Sequence, residues 1–298
     1  MVSADPEATL TVEIDSPDAD EFAVDAAPGM IVWSQAVDGT SDAYLRIGSD
    51  EPIQLDPPDT EVSFVATDGT TIALSQANAE GNLDLVLIDV ATLQTLPVPE
   101  GVNTPRHEDW PSIDGDHLFF QRSTAGGDTS APGRVRGVLF DLGTGEKQVV
   151  ENMPARDRQL FVGQVEGDFA TWSTCYTDFA TFTVNDCQVF RYRISTDETE
   201  QVPNPHKLQF APLVTADGTV YFTRNRANAA WRCGEDVKIM RYPLGGPIEE
   251  IATVPEGYGA FWGHAVVETD GSTTLHFYRP ACADFTGGIY RLDHAESL

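Results

Sequence analysis

The chain has 298 residues, of which 41% are hydrophobic, and it carries a formal charge of −29 at pH 7. This acidity argues against a nucleic-acid partner, because phosphate binding requires clustered cations, and an anionic membrane surface should repel the chain as well. No apolar run approaches the length needed to cross a bilayer, so we expect no membrane span.

The first predicted element is a strand at residues 9–14, whose side chains alternate in character and which has no partner in the segment that follows. After it, six glycines recur at intervals of 40, 46, 52, 51 and 53 residues, each in a short turn before a β-rich segment. Glycine supplies the positive φ that tight hairpins require, and a period of this length is typical of propellers and solenoids. These glycines are Gly29, Gly69, Gly115, Gly167, Gly218 and Gly271.

Each glycine turn is followed by an apolar strand, a variable loop, a third strand and usually a polar turn into a fourth, which is the plan of a propeller blade. We therefore predict an all-β, six-bladed propeller that forms one domain over residues 1–298, with four antiparallel strands per blade. The last blade lacks a fourth strand, so the strand at 9–14 should pair with it and close the ring, which removes two exposed sheet edges. The predicted blades span residues 17–56, 60–99, 108–152, 155–203, 206–255 and 257–294.

The repeated segments at residues 110–120 and 138–146 resemble those of the TolB-like family of six-bladed propellers, which are built from WD40-like, PD40-type repeats. The resemblance covers nearly the whole chain. It implies a rigid protein-binding platform outside the cytoplasm, although similar rings also form enzymes, and fold alone does not decide between the two.

The four cysteines form no Cys-x-x-Cys pair and match no common zinc arrangement. Cys175 ends the second strand of the fourth predicted blade and Cys187 begins its third, while Cys233 and Cys282 lie in the corresponding loops of the next two blades. We predict disulfides Cys175–Cys187 and Cys233–Cys282, and with them an oxidising, extracytoplasmic location. The alternative is a set of buried free thiols in a cytosolic protein. The first 20 residues show no signal peptide.

In a four-stranded blade the loops after the second and fourth strands emerge on one face, called the top face from here on. The sequence places arginines and large aromatic residues there, near the channel mouth, and both are favoured as binding anchors. We therefore expect a non-catalytic platform that recognises a protein or a surface glycan through the long loops of blades three to six. For single residues, packing between blades and local ion pairs are the alternative. The candidates are Arg106, His107, Trp110, Arg156, Arg158, His206, Lys207, Arg224, Arg226, Trp231, Arg232, Tyr258, Trp262 and Arg279.

Catalytic signatures are weak, since no Gly-x-Ser-x-Gly elbow occurs. The main interpretation therefore assigns no catalytic residue, no cofactor and no metal, and it expects a monomer. His107, His206 and His264 fall where they could converge at the channel mouth and hold a metal with nearby carboxylates. The alternative function is thus a metal-assisted lyase or hydrolase acting at the channel mouth, and a purely structural role is a third possibility.

Overall fold

The computed structural model describes residues 10–16, 19–55, 61–123, 134–154, 158–178, 183–204, 208–225, 237–281 and 287–293. Within these ranges the regular structure is β-strand, apart from one 3-10 turn at Ile194–Thr196. No helix in this part of the chain is long and apolar enough to cross a membrane. The chain begins with strand β1 (Leu10–Ile14).

The first three blades are four-stranded antiparallel sheets in which the strands follow one another in sequence order. Their first strands are mostly buried, whereas the fourth strands of blades one and two have only two residues each. Blade one contains β2 (Asp20–Ala27), β3 (Met30–Val37), β4 (Thr40–Ile47) and β5 (Ile53–Gln54); blade two contains β6 (Val62–Thr67), β7 (Thr71–Ala77), β8 (Leu83–Asp89) and β9 (Thr95–Leu96); blade three contains β10 (His107–Asp114), β11 (His117–Ser123), β12 (Arg134–Asp141) and β13 (Lys147–Pro154).

The last three blades repeat this plan, and their first strands continue the inner wall of the ring. The contrast between inner and outer strands is clear here, because the first strand of blade five is wholly buried and the fourth strand of blade four is wholly exposed. Blade four contains β14 (Arg158–Glu166), β15 (Phe169–Asp178), β16 (Thr183–Arg193) and β17 (Glu198–Gln201); blade five contains β18 (Gln209–Val214), β19 (Val220–Arg224), β20 (Lys238–Tyr242) and β21 (Glu249–Thr253); blade six contains β22 (Phe261–Val267), β23 (Thr273–Pro280) and β24 (Gly287–Leu292).

The six inner strands contact one another in a closed circuit, from β2 through β6, β10, β14 and β18 to β22 and back to β2. Strand β1 completes blade six by pairing antiparallel with β24, so that Leu10 lies opposite Leu292 and Val12 opposite Tyr290. The predicted fold class, a six-bladed all-β propeller closed by its N-terminal strand, is therefore confirmed.

Side chains reinforce this closure. Glu13 on β1 contacts two partners through its carboxylate. Oε2 lies 2.6 Å from Nδ1 of His276, and Oε1 lies 3.2 Å from Nη2 of Arg46. His276 belongs to blade six and Arg46 to blade one, so one carboxylate links the closing strand to both blades that meet at the seam.

Each inner strand contains a break in register at about the same depth, where one or two extra residues face the neighbouring strand. Ala23, Trp110 and Ala211 adopt left-handed backbone at these breaks, with φ of 47°, 56° and 50°. Bulges of this kind redirect side chains and increase local twist. They set which residues of the inner strands face the channel.

The predicted Cys175–Cys187 disulfide is present and joins β15 to β16 with an S–S distance of 2.04 Å. Both cysteines are buried, and they pack with Leu208 and Phe210 of blade five. The other predicted pair, Cys233 and Cys282, lies outside the described residues.

Candidate functional site

A small cavity of about 40 Å³ lies in the channel and is lined by the inner strands of all six blades. Towards the top face its wall is aromatic. The Trp110 ring stacks on Phe64 with a centroid distance of 4.0 Å and meets the edge of Phe161 at 5.1 Å. A cavity of this size holds roughly one to three water molecules. The mouth therefore combines an aromatic surface with a polar recess beneath it.

The recess contains a buried histidine–carboxylate pair. His264 on β22 directs Nδ1 at Asp25 Oδ1 on β2, and both side chains are about 7% exposed. Asp25 also accepts backbone N–H bonds from Ala26 at 2.8 Å and from Thr67 of blade two at 3.0 Å. Gly263 permits the local path of β22, because a Cβ there would lie 1.7 Å from the carbonyl oxygen of His276. Blades one, two and six thus hold the pair in place.

Gln164 reaches this pair from blade four. Its Oε1 accepts backbone N–H bonds from Ala265 at 3.0 Å and Val214 at 3.3 Å, which fixes the amide so that Nε2 faces His264 Nε2 at 2.8 Å. An amide Nε2 only donates, so its ring partner must be an unprotonated nitrogen. The neutral imidazole consequently carries its proton on Nδ1, where it is donated to Asp25.

Two further carboxyl groups surround the pair from the hairpin side of the ring. Burial raises the pKa of Glu166 to about 7, the charges of Asp114 and Asp25 add to the effect, and His264 opposes it. Burial disfavours the charged form of His264, but Asp25, Glu166 and Asp114 outweigh it and raise the pKa of the imidazole. The channel therefore holds one carboxyl group with a pKa near neutral, Glu166, beside an imidazole whose pKa is raised.

Some sequence-predicted residues are brought together. Trp110 and His264 line the same cavity in the channel. Tyr258 and Arg279 also meet on the top face, with the guanidinium carbon 3.9 Å from the ring centroid.

Other predicted residues lie apart from these two sites. His107 is buried and accepts a backbone N–H bond from Leu83 of blade two at 3.2 Å, so it faces the groove between blades two and three. Burial lowers its pKa. Arg106 lies in the loop before β10 and Arg224 ends β19; neither lines the channel cavity.

The remaining predicted residues cannot be placed as side chains. Arg158 begins β14 and Trp262 forms the bulge of β22, and only their backbone is described. Six others lie outside the described residues: Arg156, His206, Lys207, Arg226, Trp231 and Arg232.

A metal bound by the predicted histidines finds no matching donor set in the described residues. No group of three or more His, Cys, Asp or Glu side chains there has the arrangement of a metal site. His107 and His264 have different partners in different blades, and both ring nitrogens of His264 are already engaged.

Sequence reasoning missed Asp25, Gln164 and Glu166. Each is a polar residue near the hairpin end of an inner strand. A polar side chain that is buried on an inner strand needs a partner, but the sequence does not show which residue supplies it. The three residues are spread over blades one and four.

Comparisons with known proteins extend only to solved structures, since no family model and no curated protein matches the chain. A gluconolactonase from Xanthomonas campestris is 12% identical and aligns over 96% of this chain and 89% of its own, with a TM-score of 0.57. An oligogalacturonate lyase in complex with manganese is 13% identical over 95% and 84%, with a TM-score of 0.54. The oligogalacturonate lyase from Vibrio parahaemolyticus is 12% identical over 95% and 85%, with a TM-score of 0.51. At these identities the likeness shows a shared fold.

These matches contradict the expected non-catalytic binding platform, because the matched propellers are enzymes. The expectation rested on arginine and aromatic content and on the lack of a contiguous catalytic motif. In a propeller, however, channel groups come from separate blades, so a catalytic set leaves no motif in sequence. The binding-platform interpretation is wrong.

Proposed function

We propose that this chain is an extracytoplasmic enzyme of TolB-like type, a lyase or hydrolase that acts at the channel mouth. The observation that carries the proposal is the position of His264, held between Asp25 and Gln164 at the floor of the mouth cavity. The enzyme activities of propellers with the same fold support the general class.

The chemistry proposed is general acid–base catalysis. Asp25 holds Nδ1–H of His264, which leaves Nε2 as the site that takes a proton, and the carboxylate stabilises the imidazolium that forms. Without substrate, Gln164 donates a hydrogen bond to Nε2, and the reacting group replaces this donor when the substrate binds. Glu166, with a pKa of about 7, is the second proton-exchanging group in the channel.

The size of the cavity favours hydrolysis over elimination. The space beside His264 fits water molecules, while a larger substrate would rest on the Trp110 and Phe64 rings above it. His264 would then remove a proton from a water held in the cavity. An oxidising location is supported by the buried Cys175–Cys187 disulfide, which is typical of proteins outside the cytoplasm.

The proposal is tested by assaying the purified chain on sugar lactones, chromogenic glycosides and esters, with oligogalacturonates as the elimination substrate. We expect hydrolysis, and a fall in kcat of about 10²–10⁴-fold in His264→Gln, as for loss of a general base. The matched control is His276→Gln, which alters a second buried histidine of blade six that lines no part of the cavity.

Retained kcat in His276→Gln, with kcat lost in His264→Gln, would support the proposal. Equal kcat in both variants and the wild type would overturn it. So would the absence of turnover on all these substrates by a folded protein, judged by circular dichroism.

A further inference from the structure

A second and larger space lies on the top face, at the seam where blade six meets blade one. Its volume is about 570 Å³, within the range of sites for small molecules. Tyr258, Arg279 and Tyr290 of blade six form one side, and Asp15 and Asp20 lie on the side where the chain passes from β1 to β2. We call this space the seam cleft. None of these five residues lines the channel cavity.

Arg279 is the central group of the seam cleft. Its guanidinium carbon lies 3.9 Å from the ring centroid of Tyr258 and 4.3 Å from that of Tyr290, so two rings contact one cation. Such contacts restrict the guanidinium plane, so that donation to a ligand in the cleft would come from the two Nη groups rather than from the buried Nε. Among the described residues Nε is buried without a hydrogen-bond acceptor.

The carboxylate of Asp20 lies beside the strands that hold Arg279. Asp20 Oδ1 accepts a backbone N–H bond from Gly287 at 3.0 Å and a hydroxyl bond from Tyr278 at 3.2 Å, which orient its carboxylate. Asp15 is exposed at the rim. A wall with a fixed donor beside fixed acceptors suits ligand hydroxyl groups, because a hydroxyl both donates and accepts.

Charge narrows the ligand class further. The residues that line the cleft include one arginine and two aspartates, so the lining is net negative, and the whole chain carries −29. An anionic ligand would be repelled by the negative lining of the cleft and by the net charge of the whole chain. A neutral, hydroxyl-rich ligand meets no such repulsion, and the tyrosine rings provide apolar surface for the C–H groups of a sugar ring.

We propose that the seam cleft binds a neutral saccharide and serves as an outer substrate subsite. This inference rests on the proposed function, since it names the substrate class of that enzyme. Asp20 in the cleft and Asp25 in the channel belong to the same strand and lie roughly 16 Å apart at about 3.3 Å per residue. An oligosaccharide bound in the cleft would extend towards the channel mouth.

The test is isothermal titration calorimetry of the full chain in the His264→Gln background, which prevents turnover. The probes are maltotriose, cellotriose and xylotriose, with trigalacturonate as the charged comparison. We expect at least one neutral trisaccharide to bind, and Arg279→Ala to weaken it by about tenfold or more, as loss of a fixed charged donor does.

Two further variants keep the test sharp. Arg279→Lys retains the charge but lacks the planar fork, so it should also lose affinity. Arg193→Ala is the matched control, because Arg193 likewise contacts a ring, that of Phe169, and pairs with Asp168 at 2.8 Å far from the seam. It should leave binding unchanged.

Tighter binding of trigalacturonate, no binding of any neutral trisaccharide, or unchanged affinity in both Arg279 variants would overturn the inference. Its failure differs from that of the proposed function. If a saccharide binds in the cleft but the wild type shows no turnover, the proposed enzyme function is wrong and the saccharide site stands. If turnover depends on His264 but no saccharide binds in the cleft, the enzyme function stands and the saccharide site is wrong.

Discussion

Blade six contains two buried histidines that look alike but sit in different surroundings. His264 and His276 lie directly opposite each other on β22 and β23, and each directs Nδ1 at a carboxylate. The partner of His264 is Asp25 on the inner strand of blade one, whereas the partner of His276 is Glu13 on the closing strand. The pair chemistry is the same, so any difference in role must come from the neighbours.

The neighbours differ in charge and in access. Around His264 and Asp25 lie two more carboxyl groups and a cavity, and burial, reinforced by the charges of Asp114 and Asp25, raises the pKa of Glu166 to about 7. Burial raises the pKa of Glu13, but the hydrogen bond and charge of His276, with Arg46, outweigh it and lower that pKa. An acidic surplus beside a cavity gives a proton-exchanging site, while a carboxylate balanced by cations gives a structural link.

The most direct test of the difference between the two pairs is to neutralise each carboxylate in turn. Asp25→Asn should lower kcat by about 10³-fold, because an amide neither fixes the Nδ1–H tautomer nor stabilises the imidazolium. The matched change at the other pair, Glu13→Gln, should leave kcat unchanged. Steady-state kinetics on the substrate found by the screen measures both. An equal loss of kcat in the two variants would show that the pairs do not differ in role.

Removing the seam carboxylate altogether should chiefly affect stability. Glu13→Ala leaves Arg46 and His276 without their shared partner, and we expect the free energy of unfolding to fall by about 2–3 kcal/mol, at the lower end for a partly buried pair. Urea denaturation measures this change.

The control for the seam is Glu198→Ala, since Glu198 is an exposed carboxylate on β17 that accepts a hydrogen bond from nearby Thr196 at 3.0 Å. Its substitution should change stability by less than about 0.5 kcal/mol. If Glu13→Ala were as mild, the side chains at the seam would add nothing to the backbone pairing of β1 with β24.

The contrast between the two pairs also marks what sequence could predict. The seam was predictable, because an unpartnered strand at 9–14 and a last blade one strand short are both visible in the chain. Sequence analysis also named Trp110 and His264, which line one cavity, and Tyr258 and Arg279, which are in contact, and their role in a functional site stays a prediction. All of these follow from counting strands and asking which loops share a face.

The channel network was not predictable in the same way. Gln164 and His264 are 100 residues apart, and the contact between them depends on bulges that shift the register of the inner strands. A bulge changes which side chains face inward, and local propensity does not specify it. The same limit explains why His107, the first residue of β10, was grouped with His264 although it faces blade two.

The smallest expected effect concerns pH and distinguishes the two surroundings by sign. Glu166 has a folded-state pKa of about 7, above the ordinary value for glutamate, so the native state binds this proton more tightly than the unfolded state. Its contribution to stability therefore declines as pH rises from about 4.5 to about 7. Glu13 behaves oppositely, because its lowered pKa gives stability that is present above the unfolded value and lost as pH falls through the folded one.

Glu166→Gln should accordingly become more stable relative to the wild type as pH rises through this window, by about 1–2 kcal/mol after allowance for partial exposure. Glu13→Gln should instead be less stable than the wild type near neutral pH, and this difference in the free energy of unfolding should shrink as the pH falls below about 4.5. Thermal and urea unfolding across pH 3–8 would record both trends as differences from the wild type. Parallel curves for Glu166→Gln and the wild type would mean that Glu166 titrates as an ordinary solvated carboxyl. In that case the channel would hold a single histidine–carboxylate pair like the one at the seam, and access to the cavity would be the only feature left to separate them.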